Sequence, residues 1–470
     1  MSFRATIGLF LVLAALGGYV YWSEIRGKES REEAESKKDR VFDFKTEDVY
    51  KLDVLAVADE KAPVVITKDG ATNWKILSPL QTEADSYAAD GYVSSLMYLT
   101  YQRDVEDNPK DPGTYGLKDA KKHISIWLKG KKNPLILLIG EKSGIGNSYY
   151  AMRTDQKKVL ILDASFDSSL AKGFFEFRDK KIFPIDEEKV EKIDIKREKD
   201  SLTIEKASDG TWHLTQPLNV EASKSTVEDV LRELKNLQAT KFAEEELTDP
   251  KPFGFDKPQI TARIEFEGST VPADVVIGSK GTHENDLFAR SSIRKPVVMV
   301  NESIFKTLAK PISEFRENHA LAFDQYETQK ISLIYPDKTI TCAKSNETEW
   351  KLESPVKGEA EGSEVDNILY GVEGLQAKDF IDKPDSNLAT YGLDKPRVRI
   401  QIWQKGDKIP REVMVGGEDK SKSLTFAKNS KFQYLYLVET STTQSLFPKI
   451  EDLKKKPVDK SKPAEEMPKE

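Results

Sequence analysis

The chain has 470 residues, 38% hydrophobic and 32% charged, with Lys+Arg 72 against Asp+Glu 79 and a net charge of −7. This balance offers no basic face for nucleic acid, and the length suggests roughly two to four domains. The single cysteine, Cys342, excludes an intramolecular disulfide and a four-Cys metal cage.

In chain order, Ala5 to Trp22, ATIGLFLVLAALGGYVYW, carries no charge. As a helix such a run spans about 27 Å, close to the thickness of a hydrocarbon core. Tyr19, Tyr21 and Trp22 would set amphipathic rings at the headgroup level. The run predicts a single transmembrane anchor over residues 1–22. A cleavable signal peptide, with Ala15-Leu16-Gly17 as its small-residue site, is the alternative. Arg4 precedes the run and Arg26, Lys28 and Arg31 follow it, so flanking cations do not favour an N-inside orientation. Residues 23–40 read as a charged linker. Residues 451–470 read as a Lys/Glu/Pro tail. Neither holds enough apolar surface to offset the entropy of ordering, so both are expected to be disordered.

Between them the chain repeats itself. WKILSP at Trp74, WHLTQP at Trp212 and WKLESP at Trp350 are evenly spaced, since 212 − 74 and 350 − 212 are both 138. Tyr115-Gly116-Leu117, Phe253-Gly254-Phe255 and Tyr391-Gly392-Leu393 keep the same interval, as do Gly140, Gly278 and Gly416. The period is that of a whole domain rather than a solenoid turn. It predicts three tandem repeat domains, at 41–173, 174–311 and 312–450.

Each copy opens with short strands, such as KIDIKRE and SLTIEKA in the second. The tryptophan strand follows, with Trp212 and Leu214 on one face, and Pro217 ends its ladder for want of an N–H. An amphipathic helix comes next. Val227, Val230, Leu231, Leu234 and Leu237 form one apolar stripe, with counterparts at Ala89, Tyr92, Val93, Leu96 and Leu99, and at Val365, Ile368, Leu369, Val372 and Leu375. Ser225 and Glu228 are expected to cap the second of these helices as a capping box. A Tyr/Phe-Gly turn then leads into alternating strands, among them Ile260, Ala262, Ile264 and Phe266. The predicted fold class is α+β: three tandem repeat domains, each an antiparallel sheet with one main amphipathic helix, after an N-terminal transmembrane helix.

Candidate chemistry is sparse. IGEKSGIGNSYY (139–150) lacks phosphate-loop spacing and precedes a strand, so it reads as a hairpin turn. His123, His213, His283 and His319 sit at unlike places in the repeat and at no metal-ligand spacing. Glu244-Glu245-Glu246 reads as a solvated face. Positions common to all three copies are turn glycines, strand-ending prolines and core apolars, which a fold needs. No catalytic, cofactor-binding or metal residue is assigned.

The anchor, the repeated W-x-[IL]-x-x-P strand, the helix, the [YF]-G-[LF]-x-x-P turn and the strand ending in IG resemble the domain-of-unknown-function family 4340. FRDKKIFPID at Phe177 and FRENHALAFD at Phe315 resemble that family's strand-leading segment. The resemblance covers nearly all of 41–450. It implies a single-pass protein of the bacterial inner membrane with its large domains in the periplasm. It also implies a binding or scaffolding role accessory to an ABC-type transport system, with protein partners in a membrane assembly and no cofactor. The rival class is an extracytoplasmic enzyme, a hydrolase on glycan or lipid. A polar cluster confined to one cleft would favour the rival.

Overall fold

The computed structural model describes residues 39–455, apart from 58–61, 145, 147 and 163–165. The expected anchor lies outside them. Among the described residues no helix is long and apolar enough to cross a membrane.

Three nine-stranded antiparallel sheets carry the fold. The first has β1 Val49–Leu55, β2 Val64–Asp69, β3 Asn73–Ser78, β4 Thr82–Glu83, β5 Tyr101–Asp107, β6 Lys122–Leu128, β7 Leu135–Lys142, β8 Tyr149–Arg153 and β9 Lys158–Leu162. The second has β10 Val190–Arg197, β11 Ser201–Lys206, β12 Trp212–Gln216, β13 Val220–Glu221, β14 Lys241–Glu244, β15 Ile260–Phe266, β16 Ala273–Lys280, β17 Asp286–Ser291 and β18 Val297–Asn301. The third has β19 Thr328–Ile334, β20 Thr339–Lys344, β21 Trp350–Ser354, β22 Gly358–Glu359, β23 Ala377–Ile381, β24 Val398–Gln404, β25 Arg411–Asp419, β26 Leu424–Asn429 and β27 Leu435–Glu439. The order in the first sheet is β4-β3-β2-β1-β6-β7-β8-β9-β5, and the other two copy it.

The main helices are α1 Ser86–Met97, α2 Lys224–Lys235 and α3 Gly362–Glu373. Each links one edge strand of its sheet to the opposite edge, so it must cross the sheet's face. The stripe predicted from sequence is the buried side: Ala89, Tyr92, Val93 and Leu96 on α1, and Val227, Val230, Leu231 and Leu234 on α2. They pack on inward positions such as Leu52, Ile66, Ile76 and Ile126 in the first sheet. Each aliphatic side chain so buried contributes roughly 1.5–3 kcal/mol of transfer free energy.

The tryptophans are core residues, at 1%, 7% and 5% exposure for Trp74, Trp212 and Trp350. Trp74 Nε1 donates to Asp90 Oδ1 at 2.8 Å. Lys68, Lys206 and Lys344 lie over the three rings at 5.3, 5.7 and 5.6 Å. The proline after each strand follows a cis peptide bond, at Pro79, Pro217 and Pro355. A two-residue strand, not expected from the sequence, intervenes before each helix.

The two glycine motifs meet each other. Gly254 turns the chain at φ +73°, and a Cβ on Gly278 would stand 2.0 Å from the Phe253 carbonyl oxygen. The aromatic-glycine turn therefore lies directly on the strand that carries the second glycine, and only a bare backbone fits there.

Three expectations need correction. Ser223, not Ser225, caps α2, accepting from Thr226 N at 3.4 Å. The helix begins at Lys224, so Ser225 is already helical, and its hydroxyl lies 3.1 Å from that of Ser223. Residues 451–455, expected in the disordered tail, pack on the third sheet, because Leu453 is fully buried and Lys454 bridges to Ala360, while the rest of the expected tail lies outside the described residues. Arg40, expected in the disordered linker, bridges to Thr100 at the edge of the first sheet, while residues 23–38 of that linker lie outside the described residues.

The chain forms two compact units. Among the described residues, one holds the chain up to Lys181 together with Gln238–Lys241, and the other holds Ile182–Leu237 together with the chain from Phe242 onward. In the second unit, residues 315–320 form a connector hydrogen-bonded along both edges. Phe315 O accepts from Ser223 N at 2.9 Å and Glu317 N donates to Glu221 O at 2.9 Å. On the other edge, Asn318 O accepts from Ala377 N at 2.7 Å and Ala320 N donates to Leu375 O at 2.8 Å. The connector thus bridges the edges of the second and third sheets through two isolated antiparallel pairs, Arg316 with Ala222 and His319 with Gln376.

Candidate functional site

The junction made by that connector holds a cleft of about 320 Å³. Its walls come from β13, the connector, and the β24–β25 and β26–β27 turns, which bring Glu221, Leu321, Ile409, Arg411, Asn429 and Lys431 together. A side chain of the third sheet pins the connector, with Asn429 Nδ2 donating to Ala320 O at 3.0 Å. Arg411 Nη1 reaches Ala322 O at 3.3 Å.

The Glu221 carboxylate is half-buried and has no hydrogen-bond or ion-pair partner among the described residues. Burial, reinforced by the nearby Glu317, raises its pKa, while Lys431 and Arg411 pull the other way. Glu317 turns its own carboxylate to His319, accepting from the backbone N–H at 2.8 Å and meeting Nδ1 at 2.6 Å. This bond raises the His319 pKa against the opposing effect of burial. Asp209, which feels the Lys431 charge, is held low by its bonds from the Thr211 hydroxyl and backbone.

Behind the cleft Arg316 is almost fully buried. Its guanidinium lies between Phe380 and Tyr434, 3.5 and 4.2 Å from the ring centroids. Nη1 donates to Asp382 Oδ1 at 2.5 Å, whereas Nε and Nη2 have no partner among the described residues. Such stacking is worth up to about 2 kcal/mol when desolvated. It fastens the connector to the third sheet.

Glu221, Lys431 and Arg411 form a mixed-charge pocket able to hold a polar group that carries both a donor and an acceptor. Nucleophilic catalysis finds less support, because His319 Nε2 faces Gln376 at 3.1 Å rather than a hydroxyl or thiol. The other histidines lie elsewhere. His123 meets Asp53 at 3.0 Å, His213 meets Thr211 at 3.1 Å, and His283 is exposed in a turn. Among the described residues no three of His, Cys, Asp and Glu are placed to hold a metal ion. The Cys342 thiol is buried and its pKa is pushed up to about 12 by desolvation. The strands flanking the glycine-rich stretch, β7 and β8, pair antiparallel, with Lys142 opposite Tyr149. Glu245 and Glu246 are exposed, Glu246 lying 3.8 Å from Lys295, but one Glu244 carboxylate oxygen is buried, so the acidic run is only partly a solvated face. The cleft was missed from sequence because its residues span 221 to 431 and follow no motif.

The family described as Domain of unknown function (DUF4340) matches residues 74–258, 212–381 and 350–464. Each match starts on one of the three tryptophans and overlaps the next. No curated protein and no solved structure gives a significant match.

Proposed function

The chain belongs to the DUF4340 family, and from that premise we propose that it is a membrane-anchored, non-catalytic binding or scaffolding protein of the bacterial envelope. An ABC-type transport assembly is the partner that the sequence resemblance implies. The support is the way the copies agree. Shared positions are the tryptophan, the helix stripe and the paired glycines, and all of them serve packing or turns. The connector, bonded on both edges, holds two sheets in one unit, as a spacer or platform requires.

The experiment is complementation of a deletion strain by residues 31–470, exported by a cleavable signal at matched levels. A tethered scaffold gains effective concentration from its anchor, so this form should fold yet fail to rescue. Full rescue would overturn the tethered-scaffold reading.

The cleft at Glu221 supports a second reading, a hydrolase acting on glycan or lipid, since a carboxyl with a raised pKa is what general acid catalysis uses. Glu221→Gln and Lys431→Met in the anchored chain separate the two. The scaffold predicts full complementation by both, and the hydrolase predicts its loss.

A further inference from the structure

The third sheet fills a place that the second sheet leaves open. In the third, the Phe447 ring lies against Tyr335, with centroids 5.7 Å apart, and the Arg397 guanidinium sits 4.9 Å from its centroid. The residues 138 positions earlier are Ala309, Arg197 and Gln259. The backbone around them is bonded alike. Arg197 N donates to Asp200 O at 2.9 Å, as Tyr335 N does to Lys338 O at 2.8 Å. Gln259 N donates to Ile277 O at 3.0 Å, as Arg397 N does to Val415 O at 2.8 Å. Arg197 Nη1 and the Tyr335 hydroxyl even donate to equivalent carbonyls, Leu308 O and Leu446 O. What differs is the ring. With alanine at position 309, a pocket of about 260 Å³ remains.

The walls of this pocket suit an aromatic side chain. An apolar cavity of about 150 Å³ is enough to hold benzene, so the space is sufficient. Ile260 and Phe305, the latter standing where the third copy has Thr443, give an apolar side. Arg197 gives a cationic one. Its side chain is 10% exposed, and its guanidinium is fixed through Nε by Asp200 and through Nη1 by Leu308 O and Lys310 O. Its Nη2 has no partner among the described residues. A flat cation held this way can take a ring on its face, as Arg397 takes Phe447. Gln259 Nε2 donates to Gly278 O, which leaves Oε1 to accept, and Lys199 can donate. Those two lining groups match the N–H and C=O that flank a ring on a polypeptide.

We propose that the pocket between Arg197 and Ala309 is a docking site for one aromatic side chain of a partner polypeptide. The partner supplies from outside the ring that the third sheet supplies from within as Phe447. The inference holds whether the chain is a scaffold or an enzyme, because it rests on the comparison of two copies.

The test uses the full chain in lipid nanodiscs and N-acetyl-4-fluorophenylalaninamide as the probe, followed by fluorine NMR. The wild type should bind one probe per chain, displaced by N-acetylphenylalaninamide and not by N-acetylalaninamide. Ala309→Phe should abolish binding, because the new ring closes the pocket as Phe447 closes its own. Phe447→Ala should open the equivalent place and raise the stoichiometry to two. Phe447 is 37% exposed, so its removal spares the core, and this second variant decides the matter even where Ala309→Phe fails to fold. Absence of saturable binding to the wild type, or binding that survives Ala309→Phe in a folded chain, would overturn the proposal. So would a stoichiometry of one in Phe447→Ala, since the two places would then not be equivalent. If 4-fluorotoluene bound in this pocket and the capped residue did not, the site would take small molecules, and the polypeptide partner would be refuted.

Discussion

At the scale of single residues, burial decides what each position is for. Trp74, Trp212 and Trp350 fill core space and present no open ring face for a ligand. Truncating Trp212 to Ala should cost roughly 3–5 kcal/mol, read as a lower denaturant midpoint at unchanged slope. A loss near 0.5 kcal/mol, typical of surface sites, would mean that the ring is not core. Glu221 and His319 make a second prediction. Burial and Glu317 raise the Glu221 pKa above 4.5, so the folded state holds that proton more tightly than the unfolded chain. The resulting stabilisation is present at low pH and is lost as pH rises from 4.5 through the raised value. For His319, raised above 6.5 by its bond to Glu317, the stabilisation is full below 6.5 and is lost as pH rises through the folded value. Stability of the second unit should therefore fall with rising pH in two windows. Glu221→Gln should flatten the lower window and His319→Gln the upper, in denaturant midpoints taken from about pH 4 to pH 9. A slope of the opposite sign in either window would refute the assignment. Residue identity was also where the repeat was least legible. Arg153 Nη1 donates to Val41 O at 2.8 Å, Ser291 Oγ to Ile182 O at 2.6 Å, and Asn429 Nδ2 to Ala320 O at 3.0 Å. Three unlike side chains do one job, because the carbonyl asks only for a donor within reach.

At the scale of elements, local pattern was a good guide to what forms and a poor guide to where it stops. The helix stripes appear as predicted, since a 3.6-residue period is a property of the segment alone. The α2 cap moved by two residues because the chain bends into the helix after Val220–Glu221 pairs with β12, and that pairing is tertiary. Ser223→Ala should cost about 1 kcal/mol, whereas Ser225→Ala should stay within about 0.5 kcal/mol. Equal losses at both positions in thermal unfolding would restore Ser225 as a capping residue. The Trp127–Glu265–Trp403 series shows how elements tolerate change. Lys51 and Lys330 lie over Trp127 and Trp403, and in the second sheet the equivalent Lys192 reaches Glu265 at 3.5 Å. The lysine keeps a partner while the partner's chemistry changes.

At the scale of the whole molecule, hydrogen bonding along both connector edges argues against independent behaviour of the second and third sheets. Breaking the connector exposes backbone groups to both sheets at once and frees Arg316 from its ring sandwich. The two sheets should therefore unfold in a single transition. Trp212→Ala should lower the midpoint reported by a fluorophore placed in the third sheet. Two resolved transitions, with the third sheet indifferent to Trp212, would show that the connector does not couple them. The family matches bear on the same point, since each begins at a tryptophan and the first two run past a sheet's end into the next copy. A repeating sequence has a period but no phase.

Much of this protein follows from local physical chemistry. Alternation makes strands, a 3.6-residue stripe makes a helix, glycine makes a turn, and even spacing makes three like copies. Each of these signals lies within a few residues of where it acts. The order of nine strands, the edge on which a connector lies, the capping residue of α2, and the meeting of Glu221, Glu317, Arg411 and Lys431 were decided by contacts between residues far apart in the chain. Such contacts depend on shape, backbone hydrogen bonding and desolvation once the chain has closed on itself, and those quantities do not exist in any single segment.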